Sequence, residues 1–130
     1  MNFQDQYKKL NLEQKEAVDT VEGPVMVVAG PGTGKTQVLT LRVANILQKT
    51  QVNPGNILAL TFTENGAGEM RRRLVEIIGP PAYQVDISTF HSFANKLIEE
   101  YPEEFDDILG RRAANEVEQI ELLQEVISNS

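Results

Sequence analysis

Residues 25–36 read VMVVAGPGTGKT, an apolar run from Val25 to Ala29 that breaks into a glycine-rich turn ending in Gly34-Lys35-Thr36. The run is β-branched and unbroken by polar residues, which predicts a strand buried on both faces of a parallel sheet. A triphosphate needs several N–H donors converging on one point, and glycines let the backbone curl closely enough to supply them. Gly30, Gly32 and Gly34 meet that need. Lys35 brings a point charge to the β- and γ-phosphates, Thr36 offers a hydroxyl to Mg²⁺, and a helix predicted over Thr36 to Gln48 aims its positive end at the same place. The expected phosphate-binding loop runs from Ala29, where a first glycine is usual, through Thr33 to Thr36. The motif specifies a triphosphate and leaves the reaction open.

Outward from the loop, the strand–helix alternation repeats. Leu39, Val43, Ile46 and Leu47 are expected on the buried face of the first helix. ILALTF (Ile57 to Phe62) is a second buried-strand candidate, and Ala67, Met70, Leu74 and Ile77 form the apolar stripe of the helix behind it. GPPAY breaks that helix, VDIST (Val85 to Thr89) is a third short strand, and Phe90, Phe93, Ala94, Leu97 and Ile98 fit helical spacing. Such alternation predicts an α/β fold with a parallel sheet and flanking helices. Upstream, Asn11 and Gln14 have the spacing of a capping box for a helix over residues 11–22, which Pro24 stops.

Past Tyr101-Pro102 the character changes to an acidic, strand-free stretch with a stripe of Val117, Ile120, Leu123 and Ile127, expected as a separate C-terminal helical segment. The net charge of -7 divides unevenly: residues 1–98 carry ten Lys/Arg against nine Asp/Glu, a net of +1, and residues 99–130 carry two against ten, a net of -8. Acidity therefore belongs to the tail, and the first 98 residues leave room for an anionic partner such as nucleic acid. There is no cysteine and a single His91, so thiolate zinc sites and disulfides are excluded and a metal is expected to arrive with a nucleotide. No run approaches the ~20 apolar residues of a membrane span, and the N-terminus lacks a signal-peptide apolar region. A cytoplasmic protein without a membrane partner is expected.

Three stretches admit two readings each. Gln14 is a cap partner or solvated residue, or a ligand contact. TFTENGAGEMRRR (Thr61 to Arg73) joins a strand to a helix; Phe62 is either a core residue followed by a solvated basic face, which composition favours, or an aromatic platform for a base. STFHSF places Thr89 and His91 at a strand's carboxyl end, where such sheets bind ligands, although a lone His is more often structural.

In this order and spacing, LNLEQKEAV, AGPGTGKT, TFTENGAGEM and STFHSF resemble the Q motif and motifs I, Ia and Ib of superfamily 1 DNA helicases of the UvrD/Rep type. EVEQIELLQEVI is similar to the start of the helical insertion that follows in that family. The resemblance implies an incomplete RecA-like P-loop sheet, with residues 1–104 forming the N-terminal part of motor domain 1A and 105–130 the start of subdomain 1B. It implies that Gln14 recognises adenine, that Lys35 and Thr36 hold the phosphates and Mg²⁺ of ATP, and that Phe62, Thr63, Thr89 and His91 line a single-stranded DNA track in a 3′-to-5′ helicase or helicase-nuclease. Two departures stand out: Gln37 replaces an Arg common beside the adenine, and Glu64-Asn65 replaces Asn-Lys in motif Ia.

ATP hydrolysis also needs a strand-end carboxylate for Mg²⁺ and a transition-state arginine. Asp106-Asp107 and Asp86 do not follow apolar strands, and Glu64 lies past the end of ILALTF, in the turn. The expectation is a fragment that ends before motif II, binds nucleotide and does not unwind DNA without the remaining helicase domains. A small P-loop kinase or GTPase would need acceptor or base-specific motifs that these residues do not offer. The alternative is a self-contained P-loop nucleotide-binding regulator, which would need a complete sheet.

Overall fold

The computed structural model describes residues 2–30, 32, 34–105 and 116–129. The chain divides into two compact units, Met1–Ala94 and Asn95–Ser130.

The first unit opens with α1 (Phe3–Lys8), whose N-cap Asn2 accepts a hydrogen bond from Asp5 N–H. The next helix, α2 (Leu12–Asp19), begins in a complete capping box: Gln14 N–H donates to Asn11 Oδ1 at 2.8 Å and Asn11 N–H to Gln14 Oε1 at 3.0 Å. That reciprocal pair satisfies two amides the helix itself cannot, which is why the spacing is legible in the sequence.

The central helix is α3 (Lys35–Lys49), which packs against both α2 and α4 (Glu64–Ile78). Its buried residues are Val38, Thr40, Leu41, Val43, Ala44 and Asn45, and Leu39 is exposed. Of the expected face Leu39, Val43, Ile46 and Leu47, Val43 is buried, Leu47 packs against the core and Ile46 is half-buried, while Leu39 is turned outward. The physical reason is that two polar residues go inside carrying their own acceptors: Thr40 Oγ1 donates to Thr36 C=O at 2.6 Å and Asn45 Nδ2 to Val18 C=O at 3.0 Å. A stripe counted from apolar residues alone is blind to such pairs.

Two strands, β1 (Leu58–Thr61) and β2 (Asp86–Thr89), pair in parallel with Leu58 opposite Asp86 and Thr61 opposite Thr89. α4 lies between them in sequence and contacts both, burying Ala67, Met70 and Leu74 as its stripe predicts. Val18, Leu41, Met70, Leu74 and Val85 form the fully buried centre.

The predicted strand Val25–Ala29 is not formed. Residues 24–30 have no regular structure, and Met26 and Val28 are 89% and 87% exposed. A strand exists only where a neighbour accepts its hydrogen bonds, and among the described residues the sheet consists of β1 and β2.

Helix α5 (Phe90–Glu100) follows β2 directly. The second unit continues with a 3-10 turn at Pro102–Phe105 and with α6 (Glu116–Ser128), on which Ile120, Leu123, Val126 and Ile127 are exposed. Val117 of the expected stripe has a side chain outside the described ones, and Asp106-Asp107 lie outside the described residues altogether. No described helix is long and apolar enough to cross a membrane.

Candidate functional site

The glycine turn delivers the chain into α3 through Gly34, whose φ of 75° is left-handed and costs a residue with a Cβ more than it costs glycine. Gly32 has the same φ. No side chain caps the helix, and the first intrahelical bond runs from Val38 N–H to Gly34 C=O at 3.0 Å. The amides of Lys35, Thr36 and Gln37 therefore precede the first helical donor and have no acceptor within the helix. An uncapped N-terminus on a 15-residue helix, with an exposed Lys35 in its first turn, has the electrostatics of an anion cradle. A Cβ built on Gly30 or Gly32 would meet nothing within 4 Å, so the space over the loop is open. Pro31 and Thr33 lie outside the described residues, so the expected role of Thr33 has no geometry attached to it.

Gln14 faces this turn. Its Nε2 lies 3.7 Å from where a Cβ on Gly34 would stand, while its Oε1 is committed to the capping box. Gln14, Gly34 and Gln37 share a cavity of about 550 Å³ with Gln6, Leu10 and Arg73.

Gln37 is the hub of its far wall. Its Nε2 donates to Gln6 Oε1 at 2.7 Å, and its Oε1 accepts from Arg73 Nη1 at 3.1 Å. Arg73 is held in turn by Glu69 Oε1 at 2.8 Å. Hydrogen bonds from Arg72 and Arg73, in that order, pull the Glu69 carboxyl below the ordinary carboxylate range, and Glu69 pushes Arg72 up. The three arginines therefore have three different tasks. Arg71 donates to the carbonyls of Ala82 and Val85, both at 3.3 Å, and ties α4 to the approach of β2; Arg72 pairs with Glu69 and Glu76; Arg73 reaches the cavity.

A second cluster forms at the carboxyl ends of the parallel strands, because Thr61 and Thr89 stand opposite one another. Phe62 is 91% exposed, and its ring lies 5.2 Å from that of Phe90 at 38°. Thr63 caps α4 by accepting from Gly66 N–H at 3.0 Å. Thr89 is buried and plays the same part for α5: its Oγ1 accepts from Ser92 N–H at 3.0 Å and bonds Ser92 Oγ at 2.9 Å. Ser92 Oγ also donates to Glu64 Oε1 at 2.9 Å. His91 is exposed beside Phe90. Phe62, Thr63 and Thr89 are thus brought to one edge, with Phe62 and His91 open to solvent. Sequence reasoning missed Gln6, Arg73 and Ser92; Asn2 with Phe3 and Tyr7 four apart was the available signal for the helix that carries Gln6.

A profile of the UvrD/REP helicase N-terminal domain matches residues 10–130. The chain belongs to that family. It is 47% identical over 91 residues to an ATP-dependent DNA helicase PcrA of Staphylococcus epidermidis, a match covering 70% of this chain and 12% of the relative. The corresponding protein of Staphylococcus aureus is 46% identical over 89 residues, 68% of this chain and again 12% of the relative. The chain thus spans about 12% of the length of the curated relatives it matches. The family read from the Q-to-Ib motifs is the one found, on a mixed fold with a parallel two-stranded sheet and flanking helices.

Proposed function

We propose that this chain carries the ATP-binding part of a 3′-to-5′ DNA helicase motor that works in the cytoplasm on single-stranded DNA. The observation that carries the reading is the uncapped start of α3 at Gly34-Lys35-Thr36 with Gln14 beside it, in a member of this helicase family. Lys35 and the first amides of α3 would hold the β- and γ-phosphates of ATP, Thr36 would bind Mg²⁺, and Gln14 would contact the adenine. Ala29, Gly30, Gly32 and Thr33 would complete the loop, with Gln37 behind the base.

In this reading β1 and β2 belong to a larger RecA-like sheet. The apolar exposure of Met26 and Val28 supports further neighbours for that segment, since such side chains gain from burial. Residues 1–104 would form part of motor domain 1A, and 105–130 would begin subdomain 1B. Bound ATP supplies the bond whose cleavage drives stepping; the residues here orient the phosphates and neutralise their charge. Phe62 offers a face on which any base can stack, which suits movement without sequence readout. Thr63 and His91 would approach the DNA backbone, and Thr89 would act mainly by holding the start of α5.

The test is a nucleotide titration of the chain and of Lys35→Ala, with steady-state ATP turnover measured alongside. Binding weakened about tenfold or more in Lys35→Ala, with no turnover by either protein, is the expected result. Equal binding by the two proteins rejects the phosphate-loop reading. Turnover that depends on Lys35 rejects the view that the metal-binding carboxylate and arginine are supplied by the remaining helicase domains.

A further inference from the structure

Phe62 and Phe90 each stand one residue beyond the paired strand ends, Thr61 and Thr89. The ladder stops there, and the chain leaves in two different helices, α4 and α5. One further link closes the gap between them. Ser92 N–H donates to Thr89 Oγ1 at 3.0 Å, Thr89 Oγ1 to Ser92 Oγ at 2.9 Å, and Ser92 Oγ to Glu64 Oε1 at 2.9 Å, with Thr89 Oγ1 also 3.4 Å from Glu64 Oε1. Each hydroxyl has one hydrogen to give and a carboxylate only accepts, so these bonds run one way, from the first turn of α5 to Glu64. Glu64 itself lies in the first turn of α4, so a single carboxylate serves the positive ends of both helices. The rings are thus framed on two sides: strand pairing holds the residue before each, and the Glu64–Ser92 bond holds the residue two beyond each.

We propose that Glu64 is a positioning residue for base stacking: by tying α4 to α5 it holds the Phe62 and Phe90 rings together as one aromatic surface for the bases of single-stranded DNA. The proposal rests on the reading of this strand edge as the DNA track. The rings touch, with centroids 5.2 Å apart at 38°, although Phe62 is 91% and Phe90 50% exposed. Rings so open to water gain little from burial, and their mutual contact is worth only about 0.5–1.5 kcal/mol, so their order depends on what holds the backbone on either side. The Glu64–Ser92 bond spans the gap that the rings span, two residues further along each chain segment. Glu64, one of the departures from the motif Ia pattern, thereby has a task that offsets its repulsion of DNA phosphates, because rings ordered in advance lose less conformational freedom when a base stacks on them.

The experiment measures dissociation constants of the chain for a single-stranded oligothymidylate and follows the ring contact without DNA, by nuclear Overhauser effects between Phe62 and Phe90. Glu64→Gln removes the charge and keeps an acceptor for Ser92; Glu64→Ala removes both, so the ratio between these two variants reads the tie at constant charge. Ser92→Ala removes the donor and leaves the charge of Glu64 in place. The expected result is binding about three- to tenfold weaker in Glu64→Ala than in Glu64→Gln, with the ring contact kept in Glu64→Gln and lost in Glu64→Ala. In a Phe62→Ala background the two Glu64 variants should bind alike, because the ring to be positioned is gone. Equal binding by Glu64→Gln and Glu64→Ala overturns the proposal, and so does a ring contact that survives in Glu64→Ala. A difference that persists in the Phe62→Ala background also overturns it, because Glu64 would then support the strand edge as a whole. If Glu64→Ala does not fold by circular dichroism, Ser92→Ala decides against the unmodified chain, with the same losses expected. Failure of the unmodified chain to bind the oligothymidylate would instead reject the DNA-track reading, and the ring contact would then decide by itself whether Glu64 positions the pair.

Discussion

The two segments that flank the glycine turn are both rich in apolar residues and have opposite fates. Val38 to Asn45 is packed between α2 and α4, with Leu41 fully buried; Val25 to Val28, just upstream, leaves Met26 and Val28 almost fully exposed. A helix satisfies its own backbone and needs neighbours only for its side chains, whereas a strand needs neighbours for both. The difference teaches that an apolar run announces a demand for burial, and only the partners decide whether the demand is met.

The comparison can be broken most decisively at its two extremes. Leu41→Ala should lower unfolding free energy by about 2–5 kcal/mol, while Val28→Ala should change it by less than about 0.5 kcal/mol, both read from urea unfolding. A cost for Val28→Ala close to that of Leu41→Ala would mean that the segment before the turn is packed after all. Asn45→Ala comes next, at about 1–3 kcal/mol, because it leaves the Val18 carbonyl without its buried donor; a neutral result would remove the polar reason given for the orientation of α3. Asn11→Ala sharpens the comparison from the other side of the core and should cost about 0.5–2 kcal/mol by loss of the cap.

The smallest effect is a pH-dependent one at Glu69. Its carboxyl is lowered by hydrogen bonds from Arg72 and then Arg73, so its contribution is present above the unfolded carboxylate value and lost as pH falls through the depressed folded value. Glu69→Gln should therefore lie slightly below the unmodified chain in urea midpoint at neutral pH and converge with it in acid. Midpoints that separate further in acid would contradict the assigned sign. Since Arg72 is exposed and Glu69 and Arg73 are only half-buried, solvent screening keeps this difference slight beside that of Leu41→Ala.

What the sequence disclosed was mostly local. The Asn11–Gln14 capping box, the Ala67-Met70-Leu74 stripe and the two short strands each depend on residues a few positions apart, and each is found in the structure. What it concealed was long-range. The expected solvated basic face at Arg71 to Arg73 divides into a carbonyl tie, an ion-pair partner and a cavity residue, because the acceptors come from distant segments. Thr89 could be placed at a strand end, but its burial depends on Ser92 and Glu64 packing over it, and Glu64 is 25 residues away. The site was legible as a loop and as an order of motifs; the wiring around Gln37 was not, since no local pattern links Gln6, Gln37 and Arg73.

The end of α2 has a consequence for how this fold opens. The Val18 and Thr20 carbonyls, which an isolated helix would leave to water, accept from Asn45 at 3.0 Å and from Arg42 at 3.1 and 3.2 Å on α3. Unwinding α2 from that end must therefore break contacts of α3 in the same event. The two helices form a single cooperative unit, and their amides should exchange with solvent at matched rates, so the helix bearing Gln14 and the helix led by Lys35 stay ordered or melt together.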